Sequence, residues 1–183
     1  MKRKYISTIA AALRECGLKD GMTLSFHHHL RNGDHVVNMT MDAVAALGVK
    51  DITVACSSLF PVHEHLIEHI KTGVITGLDT DYMSGPLAKA ITGGILPTPV
   101  IFRSHGGRPR AIGEGSLKID IAVVAAPAVD AMGNITGTEG PSACGSLGYI
   151  IPDTQHAAKV IAVTDHVVEG GLARISIPHD VVD

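Results

Sequence analysis

Three stretches of this sequence concentrate side chains able to do chemistry. The first, SFHHHLRNGD, carries His27, His28 and His29 and ends on Gly33 and Asp34. The second, FRSHGGRPRAI, sets Arg103, His105, Arg108 and Arg110 around Gly106 and Gly107, and the third, SACGSLGY, offers Ser142, Cys144, Gly145 and Ser146. A guanidinium fork matches a carboxylate or phosphate with two parallel hydrogen bonds, and flanking glycines let backbone amides come close. The second stretch therefore suits a polycarboxylate or a phosphate, the alternative being a basic surface loop. The glycines of the third suit ligand-facing amides. Cys144 has no base near it in sequence, so it is expected to be a small packing residue and not a nucleophile.

Histidine spacing raises metal chemistry and then argues against it. Neighbours on an extended segment point in alternate directions, so at most His27 and His29 can share an ion, and no carboxylate stands beside them. His65 and His69 are four apart on an expected helix, but the HExxH order is absent around His63 and Glu64. The expectation is a solvated helix face and no metal site.

These groups need elements to hold them. Residues 22–26 form an apolar strand that breaks into HHHLRNGD and enters a helix, where Val37, Met41 and Val44 recur at helical spacing, Asp34 serves as cap and Gly48 as stop. A strand, a loop and a helix N-terminus in that order aim amides and a dipole at whatever occupies the loop, and Asn32 and Gly33 tolerate the positive φ that a close turn needs. Upstream, Ile6, Ile9, Ala10 and Leu13 make one helical stripe closed by Gly17. Residues 51–55 read as a strand covered on both faces, with CSSLFP as its exit loop. Pro61 opens a helix carrying Leu66, Ile67 and Ile70; residues 74–78 are a strand; Ser84 caps the helix GPLAKAITGG. The Pro- and Gly-punctuated residues 97–115 predict a strand and a long functional loop. Residues 119–126 carry the strongest strand signal. Residues 127–149 lack a helical period and read as loop, followed by a short helix at 153–158 and a last strand at 159–165. Alternation of this kind makes an α/β fold, a mostly parallel sheet with helices on both faces. Ligands of such sheets lie beyond the carboxyl ends of the strands, which would gather HHHLRNGD, CSSL, RSHGGRPR and the 127–149 loop on one edge.

Composition sets the bounds. At 183 residues the chain makes one domain, and 45% apolar against 18% charged residues implies a large interior. A net charge of -3, no Trp, three Tyr and three Phe leave neither a cationic footprint nor stacking platforms for nucleic acid. Cys16, Cys56 and Cys144 are odd in number and widely spaced, so neither a disulfide framework nor a zinc site is indicated and a reducing cytoplasm is expected. Arg14 and Glu15 interrupt the opening MKRKYISTIAAALREC, which reads as a helix and not as a signal peptide. The apolar run 121–129 is too short to span a membrane and contains Pro127.

In combination, SFHHHLRNGD with the VVNM helix behind it, GPLAKAI, FRSHGGRPRAI, IDIAVVAAPAVDAMGNITG, SACGSLGY and the KVIAVTD strand resemble the citrate lyase alpha subunit family, the citrate CoA-transferases, over almost the whole chain. The turn near residue 30 and the acidic-x-x-G-N unit resemble, more broadly, the first half of CoA-transferase-family proteins. The resemblance implies a CoA-transferase-like domain over residues 1–183, matching the first of two similar halves in longer family chains. It implies a reaction in which acetate on a carrier-protein thioester is exchanged for citrate, CoA thioesters standing in for the carrier. Its implied partners are the beta subunit that cleaves the citryl thioester, the gamma subunit that carries a CoA-derived prosthetic group, the missing second half, and further copies in an oligomer. No cofactor is expected to reside in this chain. The glutamate of thioester-forming relatives belongs to the second half, so no residue here takes that role. Asn32 and Pro141 stand where the family pattern has Gly and Lys. Under this reading, amides around Gly33 and Gly145, with His27, His28 and His29, stabilise developing oxyanions. Arg103, Arg108 and Arg110 offset the tricarboxylate, and His105, Gly106, Gly107, Ser142 and Ser146 complete its site.

Three other readings use the same residues: a non-catalytic binding or assembly domain, a sugar-phosphate isomerase or sensor on the same fold, and a histidine-rich metal protein.

Overall fold

Alternation along each strand divides the apolar residues between two interiors. The computed structural model describes residues 5–27 and 34–183. Its elements run α1 (Ile9–Glu15), β1 (Thr23–His27), α2 (Val36–Ala46), β2 (Ile52–Leu59), a 3-10 turn (Pro61–His65) leading into α3 (Leu66–Lys71), β3 (Ile75–Met83), α4 (Gly85–Thr92), β4 (Ile101–Phe102), α5 (Gly107–Gly113), β5 (Ile121–Ala125), β6 (Ala128–Asp130), β7 (Ile135–Thr136), α6 (Ile150–His156), β8 (Lys159–Val163) and β9 (Val167–Val168). Six strands form one sheet in the order β4-β3-β2-β1-β5-β8, and every neighbouring pair is parallel.

Leu24 and Phe26 of β1, Ile52, Val54 and Cys56 of β2, and Ile121 and Val123 of β5 face one side, where α1, α2, α3 and α4 cover them with Leu13, Met41, Val44, Leu66, Ile70 and Leu87. Ala55, Ala122 and Val124 face the other, against Ala111 and Ile112 of α5 and Ile150 of α6. Side chains in a strand alternate faces, so a run such as IAVVA feeds both cores at once. Each fully buried Leu, Ile or Phe contributes roughly 1.5–3 kcal/mol, which is why a sheet with so few surface charges holds together.

Several local expectations give way to the ladder. β2 does not end at Ala55: Ser58 and Leu59 pair with Tyr82 and Met83 of β3, so CSSL is strand, because a ready partner outweighs the turn preference of two serines. Residues 107–113 are helix α5 and not loop; Pro109 sits in the first turn, where its missing N–H costs nothing, and burial of Ala111 and Ile112 supplies the drive. Within 127–149, β6 and β7 pair antiparallel and β9 joins β6 to make a second, three-stranded sheet. The intervening turn is held by Asp130, whose carboxylate accepts from the amides of Met132 and Asn134. Asp34 does bond the first turn of α2, accepting from the Val36 amide at 2.8 Å, but His35 occupies the cap position. Ser84 stands at the cap of α4 without a side-chain cap bond.

The two margins of the main sheet differ. β4 is two residues long, with Ile101 and Phe102 exposed beside exposed Tyr82. At β8 the outward groups of Val160 are taken: its carbonyl accepts from the Asp183 amide at 3.0 Å, and its amide donates to the Asp183 carboxylate at 2.9 Å. No helix among the described residues is long and apolar enough to cross a membrane.

Candidate functional site

The strand order reverses direction between β1 and β5, and there the carboxyl ends of parallel strands part and leave a crevice. His27 is the last residue of β1, opposite Val124 of β5. Ser57 of β2 brings its Oγ to 3.4 Å from the Nδ1 of His27. Tyr149, just before α6, sets its ring edge-on to two histidines, 6.0 Å from His27 and 4.4 Å from His105 between ring centres. Its hydroxyl donates to the His105 carbonyl. The exits of β1 and β4 and the lead into α6 thus meet on one rim.

Beneath the rim lies a buried polar cluster. Arg108 of α5, fully buried, donates from Nη2 to Asp153 of α6 and to Ser25 of β1, both at 2.9 Å, and the Ser25 hydroxyl donates to the same Asp153 oxygen at 2.9 Å. Ser25 turns to this side because Leu24 and Phe26 take the other. The Nε and Nη1 of Arg108, and both carboxylate oxygens of Asp81, have no hydrogen-bond partner among the described residues. Burial pushes the Asp81 carboxyl up, with Arg108 and then His105 pulling against it; the His105 Nδ1 lies 3.8 Å away.

Asp153 is pushed up to about 6 by burial, against the pull of Arg108 and the Ser25 hydrogen bond. An unfolded Asp releases its proton near pH ~3.9, so between there and about pH 6 the native state binds more protons than the unfolded one. The contribution of this group to stability is full below the unfolded value and falls as pH rises through that window. Urea denaturation of the wild type and of Asp153→Asn across it is expected to give diverging curves, the wild type losing stability relative to the variant as pH rises. Parallel curves would show that the proton on Asp153 is not linked to folding.

The arginines of the second motif do not converge as three available cations. Arg103 is held by Asp79, its Nε 2.8 Å and 2.9 Å from the two oxygens. Arg108 is committed as above, and Arg110, exposed, pairs with Glu114 along α5 at 2.6 Å. His105 and Gly106 are exposed, and Gly107 donates to the Ser104 carbonyl at 2.8 Å. In the third motif, the amides of Cys144 and Gly145 both close on the Gly137 carbonyl, at 2.8 Å and 2.9 Å, so the Gly145 amide is not available to an oxyanion. Ser142 is half-buried and Ser146 exposed. Cys144 is exposed and is no packing residue. His28, His29 and Gly33, with Asn32, lie outside the described residues.

The solvated histidine face is also corrected. His63 and His69 are buried: the former accepts the Phe60 amide at 2.9 Å, and the latter, with half-exposed His65, points at Asp42 of α2. Sequence reasoning missed Asp79, Asp81, Tyr149 and Asp153, because each gains its meaning only from a partner at least 24 positions away. Ser25 had a local signal, a hydroxyl between two core residues.

Three comparisons bear on these features. Residues 2–183 match the model of the family described as citrate lyase, alpha subunit. A citrate lyase alpha chain of Haemophilus influenzae is 46% identical over 99% of this chain and 36% of its own length, so the chain spans about a third of the curated relatives it matches. The crystal structure of the proposed alpha subunit of citrate lyase from Streptococcus mutans, in complex with citrate, superposes with a TM-score of 0.96 at 48% identity, over 100% of this chain and 36% of that one. Glutaconate CoA-transferase of Acidaminococcus fermentans, at 12% identity, shares the fold with a TM-score of 0.68 over 97% of this chain and 73% of that one.

Proposed function

This chain belongs to the citrate lyase alpha subunit family, and from that premise we propose that it forms the first α/β half of a citrate CoA-transferase, a single domain over residues 1–183. In the proposed reaction a citrate carboxylate attacks the acetyl thioester of an acyl carrier protein, or of CoA. The carbonyl becomes a tetrahedral oxyanion, expels the thiolate and leaves a mixed anhydride. The thiolate then attacks the citryl carbonyl, so that citryl thioester forms and acetate departs.

The observation that carries this reading is the meeting of His27, Tyr149 and His105 at the strand-order reversal, above the buried charge of Arg108. Such a step needs donors fixed in advance more than it needs a strong base. We assign oxyanion stabilisation to His27, His28 and His29 with the amide of Gly33, at the N-terminal approach to α2. His105 meets a citrate carboxylate, and Gly106 and Gly107, which carry no side chain, leave the approach to it open. Arg110 can turn from Glu114 toward the acid, since an exposed ion pair holds it by only ~0–1 kcal/mol. Arg103 and Arg108 act through the field they set, and Ser142, Gly145 and Ser146 shape the opposing wall.

The thioester group is substrate here and is brought by a gamma subunit carrying a CoA-derived prosthetic group; a beta subunit cleaves the citryl product to oxaloacetate. A second α/β half and an oligomer complete the assembly, in the cytoplasm. The test uses an alpha chain reconstituted with carrier and lyase subunits. His105→Ala is expected to raise the KM for citrate by roughly ten- to a hundredfold, the loss of one hydrogen bond to a charged group at ~1.5–3 kcal/mol, with thermal unfolding unchanged because the side chain is exposed. An unaltered KM removes His105 from the site. Absence of acetyl exchange in the wild-type assembly would return the chain to a purely binding role.

A further inference from the structure

Away from the rim, on the face of the sheet covered by α2 and α3, two imidazoles and a carboxylate converge. His65, at the end of the 3-10 turn, and His69, in α3, are four residues apart, with ring centres 5.0 Å from each other and planes at 83°. Both direct Nε2 at one oxygen of Asp42 on α2, at 2.7 Å and 2.9 Å. The candidate donor atoms of the three residues all lie within 4.8 Å of one another. We propose that Asp42, His65 and His69 bind a divalent transition metal of the zinc class, as a three-ligand site that clips α2 to α3.

The donor set argues for that class. Neutral imidazole with one carboxylate is a borderline combination that suits zinc, cobalt and nickel better than magnesium or calcium, which take oxygen shells. Bonds of ~2.0–2.2 Å in a tetrahedron place donors roughly 3.3 Å apart, so the two nitrogen–oxygen spacings of 2.7 Å and 2.9 Å must open by about half an ångström, and the third spacing, within 4.8 Å, must settle to the same value to admit the ion. Packing fixes the ring of His69, whose side chain is 9% exposed and sits where an apolar residue would ordinarily be. His65 and Asp42, at 50% and 54%, leave the fourth position open to water. This assignment is independent of the acyl-exchange reading, since no rim residue takes part.

The experiment uses the full chain after chelator treatment. Cobalt(II) is titrated by visible absorption and zinc(II) by calorimetry, in the wild type, Asp42→Asn, His65→Ala and, as a control at an exposed histidine closing α6, His156→Ala. The first two substitutions fall on half-exposed side chains and leave the fold intact. One equivalent is expected to bind with the absorption of a four-coordinate cobalt centre. Affinity should fall at least about tenfold in Asp42→Asn and His65→Ala, since even groups behind a ligand cost that much, and stay unchanged in His156→Ala. Zinc should raise the unfolding midpoint of the wild type by more than that of either variant at the same zinc concentration. Absence of stoichiometric binding, or binding that survives both substitutions intact, overturns the proposal.

Discussion

Arg108→Ala is expected to destabilise the fold by about 3–5 kcal/mol, the cost of leaving one charge of a buried pair without its partner. Asp153 is 2% exposed and would keep only the Ser25 hydroxyl, while the Ala55 carbonyl also loses a neighbour. Arg108→Lys should recover part of this, since it restores the charge but not the fork that reaches Asp153 and Ser25 together. The pair Arg108→Met with Asp153→Leu should recover more, because replacing a whole buried ion pair by apolar groups of similar volume is often neutral. Guanidinium denaturation of the four proteins decides it. A loss under about 1 kcal/mol in Arg108→Ala would mean that water reaches the site and the pair is effectively exposed. Geometry extends the effect to function: Arg108 lies three residues after His105 and Asp153 four after Tyr149, so this ion pair locks together the two helices whose leading residues build the rim.

The second large effect is expected at Gly137. A methyl group there would stand 2.1 Å from the Gly145 carbonyl oxygen and 2.8 Å from the buried Leu147 side chain. The Gly137 carbonyl also gathers the amides of Cys144 and Gly145, so Gly137→Ala must push the 144–147 turn away from the residues that hold it. Acyl exchange in the reconstituted assembly should fall by about a hundredfold, the penalty typical of reacting groups misplaced by an ångström. Gly113→Ala is the control: nothing lies within 4 Å of its added carbon, so activity should stay at the wild-type value, and stability should not fall, since alanine suits a helix better than glycine. Full activity in Gly137→Ala would show that the SACGSLGY turn takes no part in the site.

Much of the architecture was legible because it is periodic. Val37, Met41 and Val44 marked α2, and IDIAVVAA marked a doubly covered strand, so the parallel sheet followed from alternation alone. Boundaries failed where pairing decided them, as in the serine-bearing end of β2 and in α5, whose glycines and proline read as loop. In the candidate site, residue type was legible and commitment was not. An arginine in FRSHGGRPRAI announces an anion partner, but only the folded chain reveals that Arg103 answers Asp79 and Arg108 answers Asp153. The histidines misled for the same reason, since Asp42, the group toward which His65 and His69 turn, belongs to a different helix.

The margins of the main sheet bear on how copies of this domain can meet. A long bare margin would template growth by adding strand after strand, the route to fibres. Here one margin offers only Ile101 and Phe102, and the other already spends the main-chain groups of Val160 on Asp183. The apolar spot of Tyr82, Ile101 and Phe102 is then a side-chain surface through which copies can associate at high concentration, and mild detergent, which masks such a spot, is expected to reduce that association.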